Sequence, residues 1–116
     1  MQYMLLIYDD PKLMPDTDAD RGVMFAEYGA YTEEIRKRGA YVDGAPLAPT
    51  SSATTVRVRQ GNRVVTDGPF AETKEYLAGY YTIEAPSLDG ALEAAAMCPG
   101  AKFGSVEIRP AVDMGG

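Results

Sequence analysis

The side chains able to do chemistry in this chain are carboxylates, amines, guanidinia and phenols, because its 116 residues include no histidine. That removes a Ser-His-Asp triad, a Cys-His pair, a His-ligated metal and an imidazole acid–base. Cys98 is the single cysteine, which excludes an intrachain disulfide and a Cys-based zinc cluster. It precedes Pro99 at a helix end with no imidazole to activate it, so a buried, inert thiol is expected. Catalysis, if present, falls to Asp, Glu, Lys, Tyr, Arg or a backbone donor, with no metal and no cofactor.

Three groups of residues are candidates. Asp67, in Asp67-Gly68-Pro69-Phe70, is placed to act as an acceptor or base. The same four residues also read as a tight turn, with Pro69 fixing φ and Phe70 anchoring the turn in the core. Glu72 and Lys74, two apart, share one side of an extended segment. They make either a pocket-lining acid–base pair or a surface salt bridge. Among basic residues, Arg57, Arg59 and Arg109 are suited to hold an anionic substrate group. If Val106 and Ile108 face the helices, Ser105, Glu107 and Arg109 point to the opposite face. There Glu107 and Arg109 either pair with each other or bind a polar ligand, since a buried unpaired charge is costly. Tyr76 and Tyr80 are expected on one strand face and Tyr81 on the other, as core packing or as an aromatic wall.

The elements that must position these residues follow from pattern. Tyr3 to Tyr8 form an apolar run without alternation, read as a strand buried on both faces and ended by Asp9-Asp10-Pro11. Thr17 is the expected N-cap of a helix in which Val23, Met24, Tyr28, Tyr31 and Ile35 recur at helical spacing. Glu33 and Glu34 precede Lys37 and Arg38 by four, and Gly39 supplies the stop. Ala40 to Leu47 read as a second strand. Thr54 to Arg59 and Arg63 to Thr66 alternate on either side of a Gly-Asn turn, which signals a hairpin. Tyr76 to Ala85 return to strand character. Ser87 caps a second helix with Leu88, Ala91, Leu92 and Ala95 as its stripe, and Cys98-Pro99-Gly100 stops it. Gly104 to Arg109 alternate as a last strand.

This order, β-α-β, an inserted hairpin, then β-α-β, predicts a single α+β domain over residues 1–116 with a ferredoxin-like sheet and both helices on one face. Apolar side chains on both faces of the first strand leave the other sheet face in need of cover. A second copy packed sheet to sheet supplies it with two-fold symmetry, giving a homodimer; the alternative is that the inserted hairpin folds back over the face. The net charge of −6 disfavours nucleic acid and anionic lipid. No apolar run is long enough to span a membrane, and no basic leader opens the chain, so a cytoplasmic protein is expected.

The segment Val65-Thr66-Asp67-Gly68-Pro69-Phe70-Ala71-Glu72-Thr73-Lys74-Glu75 resembles the signature of the YCII-related family, in its DGPF-containing branch. Tyr3 to Tyr8, Thr54 to Arg59 and Gly104 to Pro110 are similar to that branch as well. The resemblance runs the length of the chain and implies a dimeric α+β barrel built from ferredoxin-like halves. It also implies kinship with a dehydrochlorinase acting on a chlorinated aromatic. A His-Asp dyad proposed for the wider family has no counterpart here, because histidine is absent. The function expected is that of a dimeric small-molecule-binding protein or a cofactor-free enzyme of lyase or isomerase type. The alternative is a non-catalytic regulatory or interaction module associated with sigma-factor systems, since some branch members look linked with extracytoplasmic-function sigma factors.

Overall fold

A computed structural model describes residues 1–114. The first strand, β1 (Gln2–Asp9), points Tyr3, Leu5 and Ile7 into the core and leaves Met4, Leu6 and Tyr8 half-buried on the other side. Helix α1 (Asp18–Lys37) starts where the Thr17 hydroxyl accepts from the Asp20 N–H at 3.1 Å. It ends at Arg38, with Gly39 just beyond at φ 72°, the left-handed conformation glycine adopts freely. On its solvent face Glu34 pairs with Arg38 at i,i+4, while Glu33 pairs with Arg36 rather than Lys37. The helix buries Met24, Tyr31 and Ile35, and leaves Val23 exposed.

Strand β2 (Tyr41–Pro46) follows, then the hairpin β3 (Thr54–Arg59) and β4 (Asn62–Asp67), and then β5 (Tyr76–Glu84). Helix α2 (Leu88–Met97) is capped by Ser87, whose hydroxyl accepts from Gly90 N–H. One turn, α3 (Gly100–Phe103), leads into β6 (Gly104–Pro110). Ala91, Ala94 and Ala95 are the residues α2 buries, while Leu88 and Leu92 are about half exposed.

The main sheet is antiparallel, in the order β2-β5-β1-β6. Register fixes the faces. Val106 and Ile108 pair with Ile7 and Leu5 on the core side, so Ser105, Glu107 and Arg109 lie on the open face, as their alternation requires. Leu5, Ile35, Ile83 and Cys98 form the innermost core. The Tyr31 hydroxyl donates to the Ala94 carbonyl at 2.8 Å, joining α1 to α2.

Three further features differ from expectation. The hairpin turn is Gln60-Gly61, with φ 53° and 79°, and Asn62 already pairs with Arg59. Two positive φ values make the turn type that suits the twist of adjoining strands. Phe70 is 80% exposed instead of anchoring its turn in the core. Backbone bonding holds that turn instead: Gly68 N–H donates to the Ala53 carbonyl at 2.7 Å, and the Thr55 hydroxyl to the Gly68 carbonyl. Finally, the β1–β5 register slips, because Ile7 pairs with Gly79 but Tyr8 pairs with Leu77. Ala78 is the extra residue of a bulge. The slip sets Tyr76 opposite Asp9, so Tyr76 shares the helix-side face with Tyr81 and not the face of Tyr80.

The hairpin stands apart from the main sheet as its own two-stranded unit and does not fold back over the open face. Its Val56, Val58, Val64 and Val65 are all at least 45% exposed. The chain is consequently flat and wide, 47 × 46 × 18 Å, with a radius of gyration of 16.2 Å; a compact domain of this length measures about 13 Å.

Candidate functional site

A cavity of about 720 Å³ opens between α1 and the β2–β5 half of the sheet. It is mostly apolar. Tyr28 and Phe25 descend from α1, Tyr41 and Leu47 stand at β2 and just beyond it, and Tyr76 and Tyr81 rise from β5. Asp9 contributes the carboxylate and Arg21 the guanidinium. The parity of β1 explains Asp9: it continues the inward series Tyr3, Leu5, Ile7 by one more step, so a charged group ends a row of core residues. Burial raises its pKa above the ordinary 3.8, because a carboxylate loses hydration when apolar groups surround it.

The phenols around Asp9 are held neutral. Burial is the largest cause of the raised pKa of Tyr28, with further contributions from Cys98, which also hydrogen-bonds it, and from Asp9. Tyr76 is raised by burial and then by Asp9. The space beside the Tyr28 hydroxyl belongs to a glycine: a Cβ at Gly100 would sit 2.8 Å from that oxygen and 2.7 Å from a methyl of Ile7. Deeper in, Thr32 Oγ1 donates to the Tyr28 carbonyl at 2.9 Å and also lies 2.7 Å from the Tyr81 hydroxyl. A threonine hydroxyl has one proton, so with that proton on the Tyr28 carbonyl it accepts from Tyr81. The Tyr81 ring is clasped edge-on by Tyr31 and Tyr41, with centroids 5.4 and 6.3 Å away. Arg36 lies over the outer ring, Tyr41, at 4.7 Å. These contacts make a braced aromatic wall around one carboxylate.

Cys98 lies behind this wall, 1% exposed, its pKa pushed up to about 11, chiefly by burial. The native thiol is therefore expected to resist a disulfide reagent at pH 8 and to react at least a hundredfold faster in denaturant. Fast labelling of the native protein would contradict that burial.

The residues singled out from sequence fall in several places. Tyr80 borders the cavity, although its pairing with Leu6 sets its side chain toward the open face. Lys74 and Glu107 both line a shallow hollow on the open face, with Tyr8, Glu75 and Ser105. There the Ser105 hydroxyl donates to Glu75 at 3.1 Å. Arg109 pairs with Glu107 along one strand and is mostly exposed. Asp67 ends β4, opposite Thr54, and Glu72 lies in the exposed loop beyond; neither borders the cavity. Arg57 donates to the Phe70 carbonyl at 3.4 Å, and Arg59 to the Val58 carbonyl. Sequence reading passed over Asp9, treated as a strand terminator, and Arg21. Among the described residues, no group of three or more Cys, Asp or Glu is arranged to hold a metal ion, and no helix is long and apolar enough to cross a membrane.

A braced aromatic cavity under one helix of an antiparallel sheet defines a small α+β domain. The chain belongs to the family described as the YCII-related domain, which matches residues 1–115. An uncharacterized protein of Rhizobium meliloti (strain 1021) is 39% identical over 114 residues, covering 95% of this chain and 91% of that one. Among solved structures, 5-chloro-2-hydroxyhydroquinone dehydrochlorinase from Burkholderia phenoliruptrix AC1100, in complex with 2,5-dihydroxybenzoquinone, is similar at a TM-score of 0.53. The two share 16% identity over 97% of this chain and 94% of that one, a likeness of fold.

Proposed function

We propose that this protein binds a small, flat, oxygenated molecule in the cavity beneath α1 and acts on it by acid–base chemistry from Asp9. The observation that carries the reading is a carboxylate at the end of an aromatic-lined cavity, its pKa raised by burial. Such a group is a stronger base than a solvated carboxylate and closer to the operating range of a proton-transfer catalyst. Tyr28 and Tyr76 stay protonated beside it. Each can donate to a substrate oxygen that gains negative charge as Asp9 takes the proton. Arg21, on the cavity wall and paired with Asp18, suits an anionic substituent.

The step then closes in one of two ways. The proton returns at another atom, an isomerisation, or a leaving group departs with its electron pair, an elimination. Neither requires a redox partner. The quinone bound by the structurally similar dehydrochlorinase supports an oxygenated ring as the ligand class. In this reading the acid–base role expected of Asp67, Glu72 and Lys74 passes to Asp9, and the anion-holding role of Arg57, Arg59 and Arg109 passes to Arg21.

The same proposal takes several further features. DGPF-branch membership rests on Asp67-Gly68-Pro69-Phe70. A ferredoxin-like protomer rests on the order β2-β5-β1-β6, and a homodimer on the half-buried Met4, Leu6 and Tyr8 of the open face. A cytoplasmic setting is proposed along with them.

Titration with 2,5-dihydroxybenzoquinone and a set of hydroxybenzoates tests the reading by thermal shift and calorimetry. A true ligand at a hundred times its dissociation constant stabilises the fold by about 2.7 kcal/mol. Tyr28→Phe is expected to weaken that ligand at least tenfold. Equal binding by wild type, Tyr28→Phe and Asp9→Asn would move the site out of this cavity.

A further inference from the structure

The β3–β4 hairpin is too poorly covered for a finished surface. Its register places Val56, Val58 and Val65 on one side, with Thr54, Arg63 and Asp67. Arg57, Arg59 and Val64 lie on the other. The valine side is 57 to 63% exposed, and Phe70, at the hairpin's foot, is 80% exposed. An isolated two-stranded hairpin is marginal in water unless an apolar face packs on something. Yet this one has a well-formed two-residue turn and a base tied down by Gly68, Thr55 and Arg57. It is built as an arm, and nothing among the described residues covers it.

Charge points to what does. Between Thr54 and Asp67 the arm carries three arginines against one aspartate, a net +2. The whole chain is −6, which leaves −8 on the body from which the arm projects. The open sheet face of that body presents Met4, Leu6 and Leu77, with the acids Asp43, Glu75 and Glu107 and the bases Lys74 and Arg109 on or beside it, Arg109 paired with Glu107. Taken whole, the arm at net +2 and the body at net −8 attract, and the valine side, where Arg63 and Asp67 balance, matches the uncovered apolar face. A second copy offers that partner to each arm, whereas like-charged bodies alone would repel.

We infer that the β3–β4 arm is an exchanged clasp, its valine side laid on the border of the open sheet face of a second copy. The clasp rests on the dimer reading above and adds the element that secures it. Phe70 and Val65 lie at its root, so the Asp67-Gly68-Pro69-Phe70 turn is the hinge that aims the arm.

Amide hydrogen exchange of the full chain, at tens of micromolar and after hundredfold dilution, tests this together with sedimentation of wild type and a Val56→Ser/Val58→Ser/Val65→Ser variant. The expected result is at least tenfold slower exchange over residues 54–67 in the concentrated sample. Dimer dissociation at least tenfold easier in the variant is expected as well. Raising the salt should weaken the wild-type dimer. Rapid arm exchange at every concentration in a wild type that sediments as a dimer overturns the clasp and leaves the dimer standing. A wild type that sediments as a single chain at tens of micromolar overturns both. If the variant does not fold, the wild-type exchange data decide alone.

Discussion

Gly104→Ala is expected to be the most damaging single methyl in this protein. Gly104 opens β6 and pairs with Asp9, the last residue of β1. A Cβ placed there would lie 1.9 Å from the Tyr8 carbonyl oxygen, 2.9 Å from its carbon and 3.1 Å from the Asp10 amide. All three are backbone atoms, so no side chain can rotate away. Relief requires the β1 and β6 ends to separate, breaking the bond from Asp10 N–H to the Phe103 carbonyl as well. Overpacking in a well-fitted site costs about 1–3 kcal/mol, and a backbone clash of this depth belongs at or beyond the top of that range. In a domain of this size that is a melting temperature lower by at least ten degrees, or insoluble expression. A thermal melt within two degrees of wild type would show that this contact is not as tight as described. The same displacement carries Asp9 outward, so any surviving fold should have lost ligand binding.

Asp9→Asn has the opposite signature, a gain in stability bought with function. Because burial raises the pKa of Asp9, the folded state holds its proton more tightly than the unfolded chain does. The favourable contribution is present at low pH and is lost as pH rises from the ordinary value of 3.8 through the raised one. Above that window the folded protein bears a buried negative charge. Asparagine keeps the shape and removes the charge. The variant should therefore be more stable than wild type at pH 7, and the difference should shrink steadily as the pH falls through the window. Denaturant midpoints from pH 3 to 8 measure it, read as the difference between the two proteins so that the other carboxylates cancel. A variant less stable than wild type at neutral pH would mean that the carboxylate is a structural partner and not a base held in reserve. In the same protein, turnover of any substrate found for the cavity should fall by at least a hundredfold, since amide nitrogen cannot take the proton.

Local chemistry made most of the fold legible. The Thr17 and Ser87 caps, the Gly39 stop and the alternation of β6 each obey short-range rules, and each stands where the residues put it. The site was less legible because its decisive residues obey two rules at once. Asp9 sits in an Asp-Asp-Pro run that reads as a chain break, and it also holds an inward position of β1. Counting by twos from Tyr3 would have found it. Arg21 lies on a helix whose apolar stripe was read for packing alone. Phe70 shows the converse: a large aromatic beside a proline invites burial, yet this turn is held by backbone hydrogen bonds and leaves the ring outside. Whether a residue points inward along a regular strand is local knowledge. Where an irregular segment lies in space is not.

The extra residue at Ala78 works like a phase shift in a wave. On one side of it, odd-numbered positions of β5 pack the core; on the other, an even-numbered position, Tyr76, takes the inward place. One strand thereby serves two masters, a packing rhythm near Ile83 and a cavity-lining rhythm near Asp9, without compromise between them. Lineages that gained or lost a single residue at this point would swap the phenol beside the carboxylate for whatever stood next to it. The lining of the cavity can thus be retuned by counting, leaving the interior of the domain untouched.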